Sequence, residues 1–262
     1  MFIRLRTVSF VWAAVFLCSV SQNVVAADAP NLRGSYLGTF QPQGTSNLIT
    51  TILPYIEQDN VLRINGQFVT QRSTTEIFPF RGIISPTGIC TVVSTIPTKP
   101  LVLRSTWEKF SNGAGGLFGT ANLPFASGKT DGAIFLFRPM ALGNTPRPNV
   151  KGTYSGNYTT RNSPAAGSVI TQITDGTSNT FTVNLTFVQG QQSLGFACVG
   201  DAAPDGTFAG MGISPDGRFA IIRGYIEQDN LRGGLRLTAE VQIKNALGQT
   251  TSVNSIIAIL IG

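Results

Sequence analysis

The chain has 262 residues, a formal net charge of +6 and no histidine. Because histidine is the commonest general base and the commonest transition-metal ligand, its absence excludes a Ser-His-Asp triad, a Cys-His pair and ordinary zinc sites. The basic residues are scattered singly among apolar and small ones, so the composition does not favour nucleic-acid binding.

Residues 1–26 have the pattern of a secretory signal peptide. Arg4 and Arg6 supply a basic start, Val8–Val20 is an apolar run, and Ala26 fits a small-residue cleavage site. The run is short for a bilayer span, and no later segment approaches that length. An uncleaved anchor is the alternative. We expect a mature chain without a transmembrane span, exported to the periplasm, the cell envelope or the extracellular space.

A long internal repeat organises the rest of the chain. The stretch NLRGSYLGTF at Asn31–Phe40 returns 118 positions later as NVKGTYSGNY at Asn149–Tyr158. Other residues stay in phase at the same spacing: Gly82, Pro86 and Gly88 with Gly200, Pro204 and Gly206. A unit of about 115 residues is the size of a whole small domain. We predict a tandem duplication, with a first repeat at 27–147 and a second at 148–262.

The texture of each repeat predicts an all-β fold. Leu235–Lys244 alternates apolar and polar residues with period two, which is typical of a strand with one buried face. Asp-Gly, Asn-Gly and Asp-Asn turns separate short runs of this kind, and each repeat divides into eight strands. Eight sequential antiparallel strands favour a closed barrel in each repeat, because closure removes exposed sheet edges. Two β-sandwiches are the alternative.

Each repeat opens with Gly-x-Tyr-x-Gly-x-aromatic, at Gly34–Phe40 and at Gly152–Tyr158. This motif resembles the Gly-x-Trp opening strand of lipocalin- and avidin-type (calycin-like) barrels, with Tyr in place of Trp. The resemblance implies a calyx-like barrel that could hold a small apolar ligand. In that family the Trp closes one barrel end, so the replacement puts the closure in question.

The residues predicted to point into the second barrel are mostly bulky. They are Tyr154, Tyr158, Phe181, Val183, Leu185, Phe187, Phe196, Ile222, Ile226, Leu235, Leu237, Val241 and Ile243. An eight-stranded barrel has room for its own side chains or for one small ligand, and these side chains fill it. We expect filled interiors, with no inward polar group to orient a ligand.

The last strand of each repeat is apolar on both faces, at 133–137 and at 256–261. A barrel strand needs only one apolar face, so we expect the outer faces of both strands to be covered, between repeats or between chains.

Two charge pairs occupy equivalent places in the two repeats. Arg104 with Glu108, and Arg223 with Glu227, lie four residues apart on the polar face of a predicted strand. We interpret each as an ion pair on the solvent side, not as a functional site.

Two cysteines remain after export, Cys90 and Cys198. They are not equivalent, because Cys90 aligns with Phe208 and Cys198 with Phe80. Export permits a disulfide between the repeats, and two buried apolar residues are the alternative.

No residue set names a reaction, a cofactor or a metal. Asp201, Asp205 and Asp216 lie on separate turns and lack the spacing of a calcium loop. We therefore expect a non-catalytic protein that binds a protein or glycan partner through its surface, or that serves as a structural component of the envelope or extracellular space. The alternative is a carrier of a small apolar ligand inside the barrels.

The export prediction has a direct check. The mature chain should begin near Ala27 or Asp28, because the apolar run ends shortly before the small residues of the cleavage site. N-terminal sequencing of exported protein should return that start, and a chain that still begins with Met1 would contradict cleavage.

Overall fold

The computed structural model describes residues 30–71, 74–125, 128–140, 145–176, 180–229, 231 and 233–261. The predicted signal peptide, residues 1–26, lies outside the described residues. The described chain contains strands, turns and bends but no helix. It also contains no helix long and apolar enough to cross a bilayer.

Sixteen strands form two closed antiparallel barrels of eight strands each. The first barrel contains β1 Gly34–Pro42, β2 Ile49–Gln58, β3 Arg63–Gln71, β4 Thr75–Ile84, β5 Ile89–Ser94, β6 Val102–Lys109, β7 Gly115–Phe125 and β8 Gly128–Arg138. The second contains β9 Gly152–Thr160, β10 Ala166–Asp175, β11 Phe181–Gln189, β12 Gln192–Ala202, β13 Thr207–Ile213, β14 Phe219–Asp229, β15 Gly234–Lys244 and β16 Thr250–Leu260. The eight strands predicted for each repeat are present, and each set closes on itself. The barrel prediction is therefore confirmed over the sandwich alternative.

Strands follow one another around each barrel, and closure comes from pairing of the first strand with the last, β1 with β8 and β9 with β16. The closing strands approach unusually near to Gly38 and Gly156. A Cβ atom on Gly38 would lie 1.9 Å from the carbonyl oxygen of Phe135, and one on Gly156 would lie 1.9 Å from that of Ile257. Any larger residue would push the closing strand away, which explains the second glycine of the repeated motif.

The tyrosine of the motif closes one end of each barrel. The Tyr36 hydroxyl donates a hydrogen bond of 2.8 Å to the carbonyl oxygen of Leu32, and the Tyr154 hydroxyl donates one of 2.8 Å to that of Val150. All four residues are buried. The segment before the first strand is thereby held over the barrel end. Tyr thus takes the closing position that the resemblance assigns to Trp.

A separate apolar core lies between the two barrels. Its members are Phe110, Ala114, Phe118, Ala133, Phe135, Phe137, Met140, Ala203, Ala209, Met211, Ile213, Phe219 and Ile221. Those on strands come from the outer faces of β7 and β8 in the first barrel and of β13 and β14 in the second. The rings of Phe118 and Phe219 meet across the junction, with centroids 5.4 Å apart. The barrels therefore share a core that neither could bury alone.

The prediction that both last strands have covered outer faces is confirmed for the first strand and stays a prediction for the second, whose cover would have to come from another chain. The outer face of β8 is covered, because Phe135 and Phe137 are fully buried in the inter-barrel core. The outer face of β16 is open, because Ile257 is 59% exposed. The two strands have similarly apolar sequences, but only β8 packs its outer face against the other barrel.

This difference predicts unequal costs of truncation. Phe135→Ala should lower the free energy of unfolding by about 3 kcal/mol or more, because it leaves a cavity in a packed core. Ile257→Ala should cost about 1 kcal/mol at most, because its side chain is already largely hydrated. Urea unfolding of dilute protein, followed by circular dichroism, measures both. An equal cost for the two substitutions would mean that the outer face of β16 is also buried.

Candidate functional site

Both barrel interiors are packed with their own side chains. In the second, Tyr158 and Phe187 meet edge to face with ring centroids 4.9 Å apart, and Phe196 packs on Phe187 at 6.3 Å. The residues predicted to point inward belong to this core, with Leu235 only partly buried. The first interior holds a core of similar size. The described interiors therefore match the filled-barrel prediction.

The expectation that no polar group points inward is wrong. In the first barrel, Thr51, Thr70 and Glu76 form one cross-strand row. In the second, Thr171 is buried beside Tyr154. These four residues each keep a buried side-chain oxygen for which the described residues provide no hydrogen-bond partner. The period-two alternation of the sequence already predicts that Thr70 points inward, since it lies two positions after the inward Phe68.

The two cysteines lie in different cores. Cys90 is buried in the first barrel and Cys198 in the second, and both are free thiols in this structure. A bridge between them would require both barrels to open. Their placement fits the alternative that the sequence left open, two small buried apolar residues.

The three aspartates considered for calcium serve the local structure instead. Asp201 is fully buried and pairs with Arg147 at 2.8 Å, while Asp205 accepts a hydrogen bond from the backbone of Thr207 at 2.9 Å. Asp216 forms an ion pair of 2.5 Å with Arg218. Burial raises the pKa of Asp201, although the Arg147 charge opposes that shift. Among the described residues, no group of His, Cys, Asp or Glu is arranged to hold a metal ion.

Asp201 also anchors the segment between the barrels. One of its carboxylate oxygens accepts a hydrogen bond of 2.9 Å from the backbone N–H of Met140, and Arg147 pairs with the same side chain. Both residues lie in the connection between β8 and β9. This buried carboxylate therefore holds Met140 and Arg147, two described residues of the connection, to the second barrel.

The interpretation of the two charge pairs as solvent-side pairs within each strand is wrong. Glu108 of the first barrel pairs with Arg223 of the second, and Lys244 lies 3.9 Å from the other Glu108 oxygen. Glu227 pairs instead with Arg236 on the neighbouring strand, at 2.6 Å. Arg104 has no ion pair or side-chain hydrogen bond to any described residue, and it is exposed. The structure thus joins one member of each predicted pair across the barrel junction.

Arg104 lines a cleft of about 800 Å³ beside that junction. Its floor contains a cross-strand row of Arg104, Thr120, Ala133 and Gln41 on the outer face of the first barrel. Gln41 is buried, and its Nε2 donates to the carbonyl oxygens of Thr45 at 2.6 Å and, across the junction, of Pro215 at 2.5 Å. Its Oε1 is buried without a partner among the described residues. The row therefore presents an exposed cation to the cleft, and the unsatisfied acceptor of Gln41 lies buried beneath it.

A second row of the floor adds a carboxylate. Asn122 and Asp131 face each other across β7 and β8, and the Asn122 amide donates to the carboxylate at 2.8 Å. The opposite wall is the β13–β14 turn. Asp216 stabilises this turn, because it accepts a hydrogen bond from the Ser214 hydroxyl and forms an ion pair with Arg218. The cleft thus combines charges of both signs, amide groups and apolar walls, which suits a polar partner with both donors and acceptors.

A smaller concavity of about 590 Å³ lies at one end of the second barrel. Tyr158, Phe187 and Ile243 line its inner part. Thr160 and Asn254 join across its rim by a hydrogen bond of 2.8 Å. It is the mouth of a filled barrel rather than a calyx that extends into the core.

Comparisons with known proteins add little to this description. No protein-family model matches the sequence, and no curated protein sequence matches it. A solved structure of a protein of unknown function, from the DUF3598 family of Nostoc punctiforme PCC 73102, is similar over 87% of this chain and 96% of that one. The identity is 12% and the TM-score 0.29, so this similarity carries no argument about function. The two barrels match the architecture that the lipocalin and avidin resemblance implies, and no specific family is identified.

The buried thiols predict an alkaline limit to stability. Burial raises the pKa of Cys90 from an ordinary 9.0 to about 12, and it raises the pKa of Cys198 as well. Because the unfolded chain then releases these protons first, stability is fully present below about pH 9 and is lost as the pH rises toward the folded-state pKa. Each thiol contributes a slope of about 1.4 kcal/mol per pH unit in that window. The urea midpoint should stay level below about pH 8.5 and fall above about pH 9.

The matched control removes both thiols. Cys90→Ala with Cys198→Ala should delay the fall by about one pH unit, until the buried Tyr36 and Tyr154, whose pKa values are also raised by burial from an ordinary 10.0, become limiting. Each variant is compared with its own midpoint at neutral pH. An unchanged onset would contradict the thiol assignment.

Titration of unreduced protein in urea with a thiol reagent should find both thiols, and a disulfide between them would leave none to react.

Proposed function

We propose that this chain is an exported, non-catalytic protein that acts through its outer surface, by binding a protein or glycan partner or as a structural component of the envelope or extracellular space. The observation that carries the proposal is the contrast between filled interiors and an open cleft of about 800 Å³ between the barrels. Export rests on the signal-peptide pattern of residues 1–26.

The chemistry of the described residues supports a binding role over a catalytic one. The sequence contains no histidine. The buried carboxylate of Asp201 is paired with Arg147, and the exposed carboxylate of Asp216 is paired with Arg218. The buried thiols have raised pKa values and are poor nucleophiles at neutral pH. What remains accessible in the cleft are hydrogen-bonding and charged groups suited to recognition.

A bulky substitution in the cleft floor tests the proposal. Thr120 is exposed on that floor, so Thr120→Trp should obstruct the cleft while leaving the core intact. Immobilised mature protein should retain a protein or a polysaccharide from the envelope and secreted fractions of its own source, and the substitution should weaken retention at least about tenfold. Thr174→Trp, at an exposed position of β10 outside the cleft, is the matched control. Equal retention by the two variants would place the binding surface elsewhere.

Carriage of a small apolar ligand is the second candidate. The mouth of the second barrel favours it, because apolar rings lie behind a polar rim in a space of about 590 Å³. The filled core behind the mouth weighs against it. Titration with a fluorescent apolar probe separates the two candidates. Saturable one-to-one binding at micromolar affinity, lost in Leu194→Trp at the mouth, would favour carriage over surface recognition.

A further inference from the structure

The two barrels meet through non-equivalent faces. The second barrel uses the outer side of β13 and β14, around Ala209, Met211 and Ile221, which we call the middle face. The first barrel uses the outer side of β8, around Phe135 and Phe137, which we call the closing face. A contact between different faces of repeated units is heterologous, so it leaves one face of each kind unused.

The strand register identifies the unused faces. Leu136 lies opposite Gly38 as Ala258 lies opposite Gly156, so β16 carries the closing face of the second barrel, with Ile257 in the place of Phe135. Thr91 lies opposite Arg104 as Ala209 lies opposite Arg223. The outer side of β5 and its neighbours is therefore the middle face of the first barrel, with Val93 in the place of Met211 and Val102 in the place of Ile221.

Both unused faces expose large apolar side chains. On the open middle face, Ile83 is 61% and Val93 is 41% exposed. On the open closing face, Ile257 is 59% exposed, whereas its counterpart Phe135 is fully buried. A groove of about 670 Å³ borders the open middle face, lined by Ile83 and Val93 together with Glu57 and Arg63 of β2 and β3, and it could receive a protruding side chain.

The charges repeat in the same way. Within the chain, Arg223 of a middle face pairs with Glu108 beside a closing face. The equivalents of this pair are Arg104 and Glu227. Arg104 is exposed and without an ion pair to any described residue, and the half-exposed Glu227 pairs, among the described residues, only with the partly buried Arg236 on the same barrel. Arg104 and Glu227 are thus equivalent to the pair of Arg223 and Glu108, but within one chain they do not pair with each other.

We propose that this protein associates with further copies of itself head to tail, the closing face of one chain packing on the middle face of the next. In that contact Ile257 meets the groove beside Val93, and Glu227 meets Arg104. The centres of the two faces lie on β8 and β5, three strands apart around an eight-stranded barrel, so the two centres share no strand. The contact repeats the one inside the chain and does not depend on the proposed binding function.

The contact between chains should be weaker than the one within a chain. The open middle face has Thr91 where the covered one has Ala209, and Arg81 where the covered one has Val199. These polar residues reduce the apolar area that association removes from water. We expect a dissociation constant on the order of 10 to 100 µM and assembly that grows with concentration, since a heterologous contact that does not close forms open chains.

Sedimentation velocity of the mature protein up to about 0.5 mM tests this, with one face disabled at a time. Val93→Asp disables the middle face and Ile257→Asp the closing face; both side chains are exposed, so the fold should survive, as circular dichroism can verify. Each variant alone should be monomeric. An equimolar mixture should form dimers and nothing larger, because each variant retains the face that the other lacks.

Charge exchange supplies an independent arm. Arg104→Glu should weaken association at least about tenfold, and adding Glu227→Arg to the same chain should restore it. A wild-type protein that remains monomeric to about 0.5 mM would overturn the proposal. Self-association by Val93→Asp alone or by Ile257→Asp alone would overturn it too, since that requires a face pairing with itself. Failure of the double charge exchange to restore association would exclude the Arg104 and Glu227 contact.

Discussion

Close approach of the first and last strands is the constraint on which the structure depends. A barrel of eight strands exists only if β1 reaches β8 and β9 reaches β16, and at Gly38 and Gly156 the backbones come so near that a Cβ would lie 1.9 Å from a carbonyl oxygen. Closure satisfies the backbone hydrogen bonds of both outermost strands and leaves no sheet edge for another chain to extend. Contacts with other molecules must therefore use faces, turns or barrel ends.

Packing inside the barrels supports the proposal that the protein acts through its outer surface. Aromatic and branched side chains occupy the space that a ligand would need. At one end of each barrel, a tyrosine hydroxyl donates a hydrogen bond to the segment before the first strand. The presence of two barrels then creates what a single barrel lacks, a junction with its own core and a cleft along its margin. Gln41 belongs to both features, because its amide crosses to the carbonyl oxygen of Pro215 while its row forms the cleft floor.

The sequence predicted the barrels well because the relevant signals are local. Apolar runs, several of them alternating with period two, and the turn residues between them located the strands, and the inward set followed where alternation was clear, since the face of a strand residue depends only on its parity. The outer faces could not be predicted in this way. Phe135 and Ile257 lie on equally apolar strands, yet only the first meets a second barrel. The pairing of Glu108 with Arg223, 115 residues apart, was missed for the same reason: spacing within a strand pairs each residue with its own neighbour.

One difference between the repeats follows from which faces are covered. A buried position does not hold a charge without a partner, because removing the charge from water is unfavourable unless a partner offsets that free-energy cost. Accordingly, the covered middle face has Val199 where the open one has the exposed Arg81. The open faces nevertheless retain isoleucine and valine at positions where full exposure to water would favour polar residues. A reversible contact requires a face with both polar residues, which keep the free chain soluble, and apolar residues, which pack on the partner. A permanent contact requires the uninterrupted apolar surface found between the barrels.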